Sequence, residues 1–245
     1  ELITNPSAKY NPDGMSGIIN IVLHKNQLQG FNGSLSTNWS KEINSKFNSG
    51  LNLNYRNGKF NVYGNYNNNI SVKDNNGHIE RTQDLSEQFF KFSDDSESHI
   101  FKVGVDVYLN DKNTLSIFTS QNPAENGTNG STKTITYEDN IPTADYQNFT
   151  ADANNTSAQY NFNYKHDFNK EGSNIELEVD RNVFESDNPV AFTYPIPQDT
   201  KNYEDMNEAD RKRTTVNLDY VNPITDNSKL ELGAEAEIPR QRLKY

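Results

Sequence analysis

Carboxylates dominate the charged groups of this chain: 34 Asp and Glu stand against 23 Lys and Arg, a formal net charge of −11. One acidic stretch holds Asp84, Glu87, Asp94, Asp95 and Glu97. These offer the oxygen ligands that calcium takes, but not the spacing or the fixed glycine of an EF-hand loop. The bland reading, a solvated charge run, carries more weight. Four histidines, His24, His78, His99 and His166, form no H-x-x-x-H pair, and there is no cysteine, so no metal site is expected. Serines are common without a nucleophile elbow, and no glycine-rich loop is built to cradle phosphate, so no catalytic or cofactor-binding residue is assigned and no enzyme is expected. Arg240, Arg242 and Lys244 could form a basic strip on a wall, yet three charges in so acidic a chain do not make a nucleic-acid site. Triplets such as Asn126-Gly127-Thr128 would accept a glycan only in a eukaryotic secretory route. Glu176, Glu178 and Asp180 are more instructive, because they alternate with Ile175, Leu177 and Val179. That spacing puts three carboxylates on one face of a strand and three apolar side chains on the other.

The same period of two runs through most of the chain after Gly30. It is clear in Phe47, Leu51, Leu53, Tyr55; in Phe60, Val62, Tyr66; in Phe101, Val103, Val105, Val107, Leu109; and in Ala158, Tyr160, Phe162, Tyr164. It returns in Val216, Leu218, Tyr220 and in Leu230, Leu232, Ala234, Ala236, Ile238, with Asn161, Asn163, Glu231 and Glu235 among the residues between. Such segments are strands with one apolar and one wet face. Hydrophobic residues make up 32%, below the ~45–50% of ordinary globular domains, so a conventional core would be thin. Aromatic and β-branched residues are too frequent for disorder. No apolar run of ~18 residues is present to make a transmembrane helix, which leaves a membrane barrel open because barrel strands carry only alternate apolar residues.

Arg56-Asn57-Gly58-Lys59 predicts a tight type I′ hairpin centred on Asn-Gly, and 110–113, 169–173 and 225–228 read as further short turns. Long polar segments near 70–98, 120–155 and 185–213 read as loops. Short turns on one side and long loops on the other is the habit of outer-membrane barrels, where the short ones face the periplasm. Tyr55, Phe60, Tyr108, Tyr164, Phe168 and Tyr220 flank the short turns, where a periplasmic aromatic girdle is expected. Charge follows the same division: residues 73–98, 120–155 and 185–213 carry excesses of −4, −4 and −3, leaving the remainder neutral.

The opening segment, ELITNPSAKYNPDGMSGIINIVLHK, reads as a short strand, a turn region rich in Pro and Gly, and an apolar strand from Ile18 to Leu23. Through Glu1, Ile3 to Tyr10, Gly14, Ser16 and Gly17 to Ile21 it resembles the end of the plug domain in TonB-dependent receptors. Gly30 to Leu35 resembles the opening of the first barrel strand of that family, and Asn52 to Lys59 its second strand and first periplasmic turn. The resemblance is specific over about the first 65 residues. It implies a plug end over 1–25, a linker over 26–30 and a partial barrel over 31–245, about nine of about 22 strands.

The expected fold is therefore all-β: an antiparallel meander forming part of a large transmembrane barrel in the outer membrane of a Gram-negative bacterium. Strands are expected at 31–39, 46–56, 59–70, 99–109, 113–120, 157–168, 173–184, 213–222 and 229–238, with both chain ends taken as cuts. The resemblance implies import of a scarce siderophore, cofactor or oligosaccharide. Its implied partners are outer-membrane lipid, the TonB complex, which it engages through an N-terminal part beyond this sequence, and a ligand at the extracellular loops. A receptor-like barrel for surface binding, signalling or secretion, and a small complete barrel without transport, are the alternatives.

Overall fold

A computed structural model describes residues 2–3, 18–19, 29–41, 43–83, 85–195, 202–225 and 228–244. The elements are β1 (Leu2–Ile3), β2 (Ile18–Ile19), β3 (Gly30–Lys41), β4 (Ser45–Asn57), β5 (Phe60–Arg81), β6 (Ser86–Asn110), β7 (Asn113–Glu138), β8 (Ile141–Asp167), β9 (Asn174–Thr193), β10 (Tyr203–Thr225) and β11 (Ser228–Lys244). β1 and β2 form a two-stranded antiparallel ladder with Leu2 opposite Ile19. β3 to β11 form one nine-stranded sheet in which every strand pairs with its neighbours in sequence, an all-β antiparallel meander whose two edge strands are β3 and β11.

Register shows why alternation builds this sheet. Phe31, Tyr55, Val62, Val105, Ile117, Phe162, Val179, Val216 and Ala236 stand opposite one another in a single row that crosses all nine strands. One residue along, the row on the other face runs Gly30, Arg56, Asn61, Asp106, Ser116, Asn163, Glu178, Asn217 and Glu235. A slip of one residue in any strand would exchange the two rows, so the apolar face itself fixes the register.

The buried residues decide how the sheet curves. Gly50, Ser71, Ser86, Gly104 and Asn161 all project from the polar face, which makes that face the concave one. The convex face carries Val103, Leu230 and Leu232, all of them exposed, and among the described residues no hydrophobic side chain is buried. Holding several rows of such side chains in water would forgo roughly 1.5–3 kcal/mol apiece, far more in sum than the ~5–15 kcal/mol by which domains are stable. Lipid removes that penalty, and the apolar stretch of β5 from Phe60 to Ile70 has the span for it, since about ten tilted strand residues cross a bilayer core.

Two sequence expectations change. The segments near 70–98, 120–155 and 185–213 are not loops but the arms of long hairpins, β5–β6, β7–β8 and β9–β10, with strands of 20 to 27 residues. Above the apolar band both faces of these arms can be wet, so hydropathy alternation no longer marks them as strands. Asn57 pairs with Phe60 inside the β4–β5 ladder, which leaves Gly58 and Lys59 as the turn, and only Gly58 has positive φ, at 55°. That is the pattern of a type II′ turn. The type I′ pattern instead closes β7–β8, where Asp139 and Asn140 have φ of 48° and 63°.

Candidate functional site: the concave wall

The concave wall is built from side chains whose strands leave them no other direction. Gln159, Asn161 and Asn163 of β8 face Glu176, Glu178 and Asp180 of β9, the three carboxylates singled out in the sequence. Asn163 Nδ2 donates to Glu176 Oε1 at 2.7 Å, Asn161 Nδ2 to Glu178 Oε1 at 2.9 Å and to Asp180 Oδ1 at 3.0 Å, and Gln159 Nε2 to Asp180 Oδ1 at 3.0 Å. Farther along the wall, Asn61 Nδ2 donates to Asp106 Oδ2 at 3.0 Å. Each carboxylate thus takes at least one amide donor and keeps lone pairs for water or for whatever enters the concavity. Cations lie over rings on the same wall: the Arg56 guanidinium is 4.6 Å from the centre of the Tyr108 ring, and Lys102 Nζ is 3.9 Å from that of Phe118.

Tyr108 therefore faces inward, opposite Thr114, and is not part of the aromatic girdle. The rest of the girdle stands on the convex face beside the short turns, with the Phe168 and Tyr220 rings edge to face at 6.1 Å.

A lipid-facing convex band and an amide- and carboxylate-lined concave wall are the two sides of a membrane barrel. Residues 166–242 match the Outer membrane protein beta-barrel family. The matched stretch takes in the end of β8, all of β9 and β10 and most of β11. It supports an outer-membrane β-barrel on residues that played no part in the N-terminal resemblance. No curated protein matches the chain.

The calcium reading does not survive the barrel geometry. Glu87, Asp95 and Glu97 project from the convex side of β6 and Asp94 from the concave side, while about ten residues of extended strand, roughly 33 Å, separate Glu87 from Glu97. Asp84 lies outside the described residues. No group of three or more potential metal ligands comes together among the described residues. His24 is also outside them, and the other histidines are far apart on the convex face. His78 stacks on Phe89 at 4.4 Å and lies 3.5 Å from Glu87, His99 joins Tyr66 and Glu97 at 2.9 Å each, and His166 Nδ1 is 2.8 Å from Asn113 Oδ1. Arg240, Arg242 and Lys244 do share one face, the convex one at the upper end of β11, and Lys244 pairs with Glu208 of β10.

Above the membrane band the Tyr137 hydroxyl donates to Glu87 Oε1 at 3.0 Å, tying β7 to β6. That bond to a carboxylate, reinforced by its charge, pushes the Tyr137 phenol above its ordinary value of 10.0. The sequence reading missed another feature of the arms. Phe90, Phe92, Phe149, Phe192 and Tyr203 project from the concave side. The i, i+2 spacing of Phe90 and Phe92 was the available signal, one step out of phase with Phe101 to Leu109 on the same strand.

Proposed function

We propose that this wall belongs to a TonB-dependent importer that brings a scarce ligand across the outer membrane of a Gram-negative bacterium. The observation that carries the reading is the division of one continuous sheet into a convex apolar face and a concave face of amides and carboxylates, the division a barrel with a wet or plugged lumen needs. The outer-membrane family match over 166–242 agrees with it, and the likeness of residues 1–21 to the end of a plug domain is what points to TonB. A ligand such as a siderophore, a cofactor or an oligosaccharide would be met first by the long arms β5 to β10.

Uptake separates this from a surface receptor. Cells making the full-length protein, given radiolabelled candidate ligands, should bind one of them and accumulate it, and removing TonB or collapsing the proton gradient should abolish accumulation while binding persists. Accumulation that ignores both treatments would refute TonB-dependent import. Binding without accumulation in untreated cells would favour a surface-binding or signalling receptor, a reading to which the length of the arms gives some support.

A further inference from the structure

Above the membrane band the concave face gains aromatic side chains of its own, while Phe89 and Tyr146 stay on the convex one. In β6 the convex face takes Phe101, Val103, Val105 and Val107, whereas higher up Phe90 and Phe92 fall on the concave face. β8 does the same between Tyr160 or Phe162 below and Phe149 above, and β9 between Val179 below and Phe192 above. The result is one concave row, Asn75, Phe92, Gly130, Phe149, Phe192 and Tyr203, that crosses six strands. The adjacent convex row at that height is Asp74, Ser93, Asn129, Thr150, Ala191 and Glu204. The aromatic rings of this row thus face toward the mouth of the concavity, where lipid cannot be their reason.

Two glycines make the rings lie down. A Cβ on Gly130 would stand 2.3 Å from Phe149 Cζ and 2.7 Å from Phe92 Cβ, and one on Gly77 would stand 2.3 Å from Phe90 Cζ. Phe149 and Phe90 occupy the space the glycines leave, so each has one face on the sheet and the other turned to the mouth. Phe192 and Tyr203 extend the surface as a stacked pair at 4.7 Å. The row spans five strand spacings, roughly 24 Å.

We infer that this row is a binding platform for a neutral oligosaccharide, whose pyranose rings stack on the aromatic faces; the inference deepens the import reading and rests on it for its direction, by naming the substrate class. The polar groups set among the rings choose between ligand classes. The row above, Gly77, Phe90, Thr132 and Gln147, is uncharged, and the row below holds Lys73 against Asp94 and Asp205. An anionic ligand meets a net negative rim there. A methylated ammonium wants rings on several sides of it, and these lie along one wall. Sugar hydroxyls find amide and hydroxyl partners: Gln147 Nε2 donates to Tyr194 Oη at 2.6 Å, Asn75 Nδ2 to Asp94 Oδ2 at 3.2 Å and Thr128 Oγ1 to Asp94 Oδ1 at 2.8 Å, a network that hydroxyls can join.

Full-length protein in detergent, applied to an array of neutral, anionic and methylammonium-bearing glycans, is expected to bind neutral chains. The best neutral glycan should then lose about tenfold in affinity for Phe149→Ala and again for Phe192→Ala, the size of one ring contact each, while a control substitution on the convex row, Thr150→Ala, changes nothing. Unchanged melting temperatures would show that the arms remain folded. Retention of neutral glycan binding by both ring variants, binding confined to anionic or methylammonium glycans, or no binding by folded protein would each overturn the platform. Glycan binding that depends on the rings in cells that accumulate nothing would leave the platform standing and remove import; TonB-dependent accumulation of another ligand class would do the reverse.

Discussion

Ile117 and Ser116 are neighbours in β7 whose side chains leave the sheet on opposite faces, Ile117 between Val105 and Phe162 and Ser116 between Asp106 and Asn163. Their substitution measures the difference between the two solvents of the wall. Ile117→Lys should cost about 2–4 kcal/mol, the price of a lysine near the bilayer midplane, whereas Ser116→Lys should stay within about 0.5 kcal/mol. Reversible denaturant unfolding in lipid vesicles reads both, and equal penalties would refute the assignment of faces. Tyr137 tests the arms instead. Its folded phenol titrates above 10.0 because it holds a hydrogen bond to Glu87, so its contribution to stability is complete below pH 10 and is lost as pH rises through the folded value. In a tyrosinate absorbance titration, the difference between wild type and Tyr137→Phe should show a midpoint above 10.0, and Glu87→Gln should bring it down. A midpoint already at the ordinary value would mean that the two arms do not meet there.

At the scale of the strand, the lumen uses the same device as the arms: Tyr63 of β5 lies over Gly104 of β6, where an added Cβ would stand 2.4 Å from Tyr63 Cζ. Gly104→Val should therefore destabilise by about 1–3 kcal/mol through crowding, and Tyr63→Ala in the same molecule should recover much of that loss. Strictly additive penalties in the double-mutant cycle would show that the ring can step aside without cost. What the sequence revealed at this scale follows from the same packing logic. Val103, Val105 and Val107 were legible because lipid on one face and water on the other force a period of two. The 121–138 half of β7 was not, because Asn122, Glu125, Asn129 and Ser131 meet water on either side and hydropathy then carries no period. Asp139-Asn140 was a readable turn pair, since Asp and Asn tolerate positive φ better than other side chains, but a turn is recognised only between segments already taken as strands. The carboxylates of β9 were placed on the correct face from alternation alone, whereas their amide partners on β8 depend on a register that no single segment encodes.

At the scale of the whole sheet, β3 and β11 run in the same direction, because an antiparallel meander returns to its starting direction at every second strand. Nine strands closing on themselves would need a parallel seam, and edges left open invite pairing with other chains. Residues 30–244 produced alone should accordingly associate through these edges, seen as oligomers by light scattering in detergent, and a stable monomer would show that the two edges close. Orientation is the remaining property of the whole, and the absence of cysteine allows it to be read one site at a time. Ser131 lies on an exposed convex position of the β7 arm, Ile117 within the apolar band and Asp111 in the short β6–β7 turn. In the full-length protein, Ser131→Cys should react with a membrane-impermeant maleimide on intact cells, Asp111→Cys only after the outer membrane is opened, and Ile117→Cys only after detergent has removed the lipid. Reaction of Asp111→Cys on intact cells with Ser131→Cys silent would turn the barrel over, place the ring-lined mouth in the periplasm and defeat import from outside. Ready reaction of Ile117→Cys without detergent would show that the convex band does not meet lipid, and the penalty for leaving its apolar rows in water would then have to be met by another protein surface.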